Sequence, residues 1–330
     1  MRVCVFGLGA IGGQIAARLA RGGAEVSVVV RGAMLEAVRA RGLALHAADG
    51  HFESRPRASA DPRDLRPQDA VIVTVKAPAQ TQVAEVIGPL LGPETRVAFV
   101  QNGIPWWYFD RHGGPLDGTR LSELDPGEAI RRAIGVERTL GGVVYAASSV
   151  IAPGVIELEA PTSKLVLGAP DGSIDAGLRA LAGAIEAGGM ACPPSDDIRT
   201  DILSKLVSNI ANGPLCLLTR NHSKGTLGDP VIRAAAIRMG EEAEALARAL
   251  GRPVRVPAAE RIATIGKVDH KPSILQDLEA GRAMEIDVMF TVPLRIAQLV
   301  GVPTPTLDLA IALAVQAARS EGLYPVSQGG

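Results

Sequence analysis

Apolar positions in the first half of the chain come in short runs, and in the second half they recur with helical period. Residues 2–6, 25–30, 71–75 and 96–100 read as strands. The unbroken run at 71–75 suits a parallel sheet covered on both faces. Helical spacing fills residues 14–21, 79–91 and 174–187 between and after them. Shorter strand-like runs near 142–147, 155–159 and 165–167 are broken by Pro153, Gly154 and Pro161, and resemble antiparallel additions to the sheet. From Ile198 onward the pattern is helical over 198–212, 231–250, 258–264, 273–280, 284–300 and 306–319. The change falls near Pro193-Pro194-Ser195, so the expected domains are 1–194 and 195–330. The fold class this implies is α/β. An N-terminal Rossmann-type dinucleotide-binding domain is followed by an all-helical C-terminal domain. Residues 328–330 are expected to fray.

The first strand enters Gly7-Leu8-Gly9-Ala10-Ile11-Gly12 and a helix follows. In that context Gly-x-Gly-x-x-Gly is a pyrophosphate cradle. The first glycine makes the turn, the second lets the phosphate approach, and the third lets helix and strand close up. The second strand ends at Val30 and Arg31, where NAD-binding versions usually carry an acid. A guanidinium there would grip a 2′-phosphate that a carboxylate would repel, so the expected cofactor is NADP(H).

Composition narrows the picture further. The 330 residues carry a net charge of −1, which gives no electrostatic reason to expect nucleic acid or an anionic membrane as partner. No apolar run reaches spanning length, and residue 2 already opens a strand where a signal peptide would be. Cys4, Cys192 and Cys216 are few and far apart, as in a reduced cytoplasmic protein. The histidines lack ligand spacing, so no metal site is expected.

In the helical half, Lys205, Asn209 and Asn212 share a narrow sector of one helix at about 100° per residue. The alternatives are a solvated stripe and the wall of a polar pocket. Ser273 with Gln276 reads as a capping box. Glu285 follows twelve residues after Ser273. An unbroken helix would hold them about 18 Å apart, so a shared site requires a break, expected at Gly281. Trp106, Trp107, Tyr108 and Phe109 form either a wall or lid over a binding site, or the anchor of the loop that follows or part of a subunit contact; the latter is the simpler reading.

Taken together, the glycine turn, Arg31, Val75-Lys76, Gln101-Asn102-Gly103, the Lys205/Asn209 helix and the stretch from Ser273 through Gly281-Arg282 to Glu285 resemble the ketopantoate reductase family. The resemblance runs in family order from residue 2 to about 318. It implies a Rossmann domain, a helical domain and an active site in the cleft between them. The implied activity is NADPH-dependent reduction of 2-dehydropantoate to pantoate on the way to pantothenate. Carried over by position, Lys205 matches the family's general acid and Glu285 an acid near the lysine and the cofactor. Lys76 and Ala147 match cofactor contacts, and Asn102 a residue touching both nicotinamide and substrate. Asn209 and Ser273 match substrate ligands, with Asn212 a further candidate. A dimer through the helical half is a family-level expectation. The chain departs from the family at Gly213, where asparagine is usual, and at Leu203 and Leu217. A different branched oxo acid as substrate, or a non-catalytic NADPH-sensing role, therefore stand as alternatives.

Overall fold

The computed structural model describes residues 1–325, so the expected fraying of 328–330 lies outside the described residues. The chain divides into two units. One comprises 1–101 with 105–198, and the other comprises 102–104 with 199–330. The division after Ile198 falls a few residues beyond 194. The tripeptide 102–104 belongs with the second unit, which no feature of the sequence indicates.

The first unit is built on an eight-stranded sheet. In chain order its relevant elements are β1 (Arg2–Phe6), α1 (Ala10–Arg21), β2 (Glu25–Val29), α2 (Gly32–Arg41), β3 (Leu43–Ala47), β4 (Gly50–Ser54), β5 (Arg57–Ser59), β6 (Gln68–Val73), α3 (Gln80–Val86), β7 (Leu91–Val100), α4 (Ala129–Ile134), β8 (Thr139–Tyr145), β9 (Ser148–Ala152), β10 (Val155–Leu158), β11 (Lys164–Gly168), α5 (Ala176–Ala187) and β12 (Pro194–Ser195). The sheet order is β12-β11-β8-β7-β6-β1-β2-β5, and every pairing is parallel except β11 with β8. The central strands are buried at nearly every residue, which is why they read as continuous apolar runs.

Two sequence expectations are corrected here. Of the three late strands, only β11 adds to the sheet antiparallel; β8 runs parallel to β7. β10 joins a separate four-stranded sheet, ordered β4-β3-β10-β9. This small sheet packs on α1, and a Cβ at Gly13 would lie 2.5 Å from Ile156. β4 is mostly polar, and β3 is a short run interrupted by His46 and only partly buried, so neither stands out as a strand. The helix expected over 79–91 is shorter, because Gly88-Pro89 turns the chain and β7 already begins at Leu91.

The second unit is helical: α6 (Ile198–Thr219), α7 (Ser223–Gly228), α8 (Pro230–Ala249), α9 (Ala258–Ile265), α10 (Ser273–Glu279), α11 (Val292–Leu299) and α12 (Pro305–Ser320). α6 continues past the expected end at 212 and carries Pro214 inside it, forgoing one backbone bond. Its apolar face, including Leu203, Leu206, Val207 and Ile210, is buried. Glu242 of α8 accepts from the Thr306 and Leu307 amides at 3.0 and 2.8 Å, closing the N-terminus of α12. The sequence pattern over 284–300 divides into a π-helical turn at Asp287–Thr291 followed by α11.

Candidate functional site

Each glycine of the first turn meets a different constraint. Gly7 has φ +95, and a Cβ there would approach Val75 to 2.6 Å. A Cβ at Gly12 would approach the Gly7 carbonyl oxygen to 2.1 Å. A Cβ at Gly9 would meet nothing within 4 Å. Two glycines are therefore required by the protein's own packing. The third guards open space at the N-terminus of α1, where no side chain caps the helix. That is the donor set and the clearance a pyrophosphate needs. Leu8 is buried in the core beneath the turn, while Ala10 and Ile11 open the helix and are partly exposed.

The turn has a support that sequence reading missed. Thr74, just past β6, donates its hydroxyl to the Gly7 carbonyl at 2.6 Å. Gln14, fully buried in α1, accepts from the Ser148 hydroxyl at 2.7 Å and donates to Ser163 at 2.6 Å. It thereby fixes the segment beside Ala147, whose carbonyl accepts from the Glu159 amide at 2.8 Å. Neither role has a sequence signal, since both depend on pairings between distant elements. Arg31 is exposed and immediately precedes α2, and Lys76 is partly buried at the start of a short 3₁₀ turn after β6. Arg31 and Lys76 thus follow the C-terminal ends of β2 and β6, the two strands that flank β1, at the edge where such sheets bind ligands.

Trp106, Trp107, Tyr108 and Phe109 are all core residues of this unit. Trp106 meets Phe99 edge-on at 5.9 Å and lies under the Arg131 guanidinium at 5.1 Å. Buried in this way, they anchor the segment that follows.

In the second unit, Asn102 donates its side-chain amide to Glu285 at 3.1 Å. Two contacts hold the tripeptide in place. The Ile104 amide donates to the Val288 carbonyl at 2.8 Å, and a Cβ on Gly103 would come within 2.1 Å of that same oxygen. Glu285 is 7% exposed and stands just ahead of the π-helical turn. π-turns interrupt regular helices most often at functional positions. Lys205, on α6, is partly buried. Burial pushes its ammonium down to about 8, and the Glu285 carboxylate pulls it back up. Lys205, Glu285 and Asn102 therefore form one electrostatic group in one unit, drawn from positions 183 residues apart in the chain. Asn209 follows one turn along α6 and is partly buried.

The break between α10 and Glu285 falls where expected. α10 ends at Glu279, and Gly281 takes φ +60. The capping box does not form. Pro272 is the N-cap and Ser273 the first helical residue, with no side-chain cap bond. Gln276 turns instead to the Lys271 carbonyl at 2.9 Å. Proline fixes φ, and its following ψ of 148 supplies the extended cap conformation that the serine was expected to take. The Ser273 side chain is left exposed.

Asn212 also departs from its expected use. It is 6% exposed. Its amide donates to the Ser223 hydroxyl at 2.9 Å, and its oxygen accepts from the Cys216 thiol at 3.3 Å. Ser223 in turn reaches the His270 carbonyl at 3.4 Å. These partners make Asn212 a strut between α6, α7 and the segment leading to Ser273, not a ligand-facing group. Among the described residues no group of histidine, cysteine and acidic side chains is arranged to hold a metal ion, and no helix is long and apolar enough to cross a membrane.

Comparison with known proteins agrees with this architecture. Residues 3–172 match the family model for ketopantoate reductase PanE/ApbA, and residues 197–318 match the model for its C-terminal part. A 2-dehydropantoate 2-reductase of Mesorhizobium japonicum is 42% identical over 327 residues, covering 98% of this chain and 100% of that one. A crystal structure from Ralstonia solanacearum MolK2, described as a candidate ketopantoate reductase, superposes with a TM-score of 0.91 at 37% identity. It covers 98% of this chain and 99% of that one. D-mandelate dehydrogenase, solved with NADH and anilino(oxo)acetate, shares the fold at 20% identity with a TM-score of 0.81, over 98% and 100% of the two chains. Two family models matched in order over residues 3–172 and 197–318, with 42% identity to a 2-dehydropantoate 2-reductase over 98% of the chain, place this chain in the ketopantoate reductase family of oxidoreductases acting on CH–OH groups.

Proposed function

We propose that this chain reduces a 2-oxo acid with NADPH, that its substrate is 2-dehydropantoate and its product (R)-pantoate, and that Lys205 is the general acid. The observation that carries the reading is a lysine, Lys205, in the field of the buried Glu285 carboxylate, which itself holds Asn102. Hydride addition to a ketone leaves charge on oxygen, and a nearby ammonium both stabilises that charge and supplies the proton. An ammonium near 8 is mostly protonated at neutral pH and releases its proton more readily than an ordinary lysine. Glu285 keeps the proton on Lys205, and its hydrogen bond orients Asn102. Asn209 and Ser273 offer neutral hydrogen bonds for the substrate's carboxylate and hydroxyl.

The cofactor would be held by the Gly7–Gly12 turn, Arg31, Lys76, Asn102 and Ala147, and when bound it supplies the hydride. Clearance at Gly9 supports a pyrophosphate there, and the exposed guanidinium of Arg31 supports a 2′-phosphate. A fold shared with an NADH-bound D-mandelate dehydrogenase makes the choice of nucleotide a matter of residues such as Arg31 and not of architecture.

A second reading, another branched oxo acid as substrate, is favoured by one observation. Asn212 is spent on Ser223 and Cys216, and Gly213 stands where the family has asparagine. A site that reads hydroxyls discriminates strongly through such groups. The test is NADPH oxidation with 2-dehydropantoate beside a panel of 2-oxo acids. The highest kcat/KM on 2-dehydropantoate supports the first reading, and preference for another acid supports the second. NADPH binding without turnover on any of them would mark a sensor and overturn both. The cytoplasm is the compartment proposed, and a homodimer the assembly. Size-exclusion chromatography with light scattering tests the latter.

A further inference from the structure

The first unit carries a cavity that the cofactor reading does not use. It encloses about 570 Å³ and is lined by Glu25, Ser27, Ser54, Arg55, Arg57, Arg66 and Gln68, among others. These residues mark the N-terminal ends of β2, β5 and β6. The glycine turn and Arg31 stand at the C-terminal ends of β1 and β2. Four residue steps along β2 separate the two edges by about 13 Å. The size falls in the range of metabolite pockets, roughly 300–1,000 Å³.

The lining is chemically one-sided. Three guanidiniums face one carboxylate. Arg66 is paired with Glu25, and Arg57 donates to the Asp64 carbonyl at 2.6 Å. Arg55 is exposed and makes no hydrogen bond or ion pair among the described residues. The Ser54 hydroxyl is buried and also has no hydrogen-bond partner among them. Below these, Ser27 donates to Gln68 at 3.3 Å, giving the floor a settled polar network. A concave site with two guanidiniums that have no carboxylate partner fits a compact anion, because the planar fork bonds phosphate or carboxylate oxygens in pairs.

We propose that this cavity binds a small organic polyanion, a phosphorylated or polycarboxylated metabolite, at a site separate from the nucleotide. The backbone gives such a ligand a route to the cofactor's residues. Arg57 pairs with Ser27 and Ser59 with Val29 in the β5–β2 ladder, and the Val30 amide donates to the Ser59 carbonyl at 3.0 Å, one residue before Arg31. Occupancy at Arg57 therefore bears on the strand that presents Arg31.

Isothermal titration of the full-length protein with pyrophosphate and, separately, with citrate tests the site and distinguishes phosphate from carboxylate recognition. Saturable binding of either probe that persists in the presence of saturating NADPH, weakened at least about tenfold in the Arg55→Ala/Arg57→Ala double variant, is the expected result. Both arginines are exposed, so the variant should keep the wild-type melting temperature; Arg66→Gln is a second probe of the same wall. Three outcomes would overturn the proposal. They are no binding of either probe up to about 10 mM, equal affinity in the arginine variants, or displacement of the probe by NADPH, which would assign it to the glycine turn.

Discussion

A lysine whose proton is loosened by burial and retained by a carboxylate leaves a distinctive titration. With Lys205 near 8, the ammonium form proposed above as the general acid gives way to the neutral amine above that pH. kcat/KM for reduction should accordingly fall about tenfold per pH unit beyond it. Glu285 raises the lysine's pKa, so Glu285→Gln should move the alkaline limb to lower pH; a limb that stays in place or rises would dissociate the two groups. Lys205→Ala should lower kcat by about 10²–10⁴-fold with NADPH affinity nearly unchanged, measured by single-turnover kinetics and fluorescence titration. Arg31→Ala should weaken NADPH far more than NADH, and an equal loss for both would detach Arg31 from the 2′-phosphate. At this scale the sequence was informative about chemistry but poor about partners. Lys205, Glu285 and Asn102 were legible as candidates. Their grouping required the 102–104 tripeptide to join the helical unit, which no local pattern encodes. Asn212 shared the sector of Lys205 by helical arithmetic, yet Ser223, eleven residues on, claims its amide. Ser273 had the spacing of a cap, and a preceding proline took that position instead.

At the level of elements, the first strand, turn and helix behaved as local physics requires, and the three glycines separate stability from binding. Gly7→Ala and Gly12→Ala place a methyl against neighbouring atoms at 2.6 and 2.1 Å, and each should destabilise the fold by about 1–3 kcal/mol in denaturant titrations. Gly9→Val meets open space in the protein, so it should leave the melting temperature nearly unchanged while weakening the nucleotide at least tenfold, an effect of about 1.4 kcal/mol. Loss of stability at Gly9 would mean that the turn, not the phosphate, demands the glycine. The elements hidden from sequence reading share a cause. β3, β4 and β9 are short and only partly buried, β4 and β9 carry polar residues besides, and β10 takes one of its two partners, β3, from much earlier in the chain. The amphipathic helices of the second unit face no such ambiguity, since a buried stripe at helical period can be read from one segment alone.

For the molecule as a whole, the three cysteines give a clean readout of integrity. Cys4, Cys192 and Cys216 are buried and unbridged. Burial pushes Cys4 and Cys192 up to about 12 and raises Cys216 as well. Ellman's reagent at pH 8 should therefore label none of them in the native protein and all three after denaturation, so that thiol release tracks global unfolding. Rapid labelling of a thiol in the folded protein would contradict this burial. The assignment of residues 102–104 bears on how the gene could be recombined. A crossover at the obvious seam after Ile198 would import a new helical half while keeping the old Asn102, Gly103 and Ile104. Those three residues must fit a glutamate, a carbonyl and a tight backbone approach encoded by the other parent. Chimeras between distant relatives should regain function when this small graft travels with the half it serves. Modularity in this chain follows contacts, not gene order.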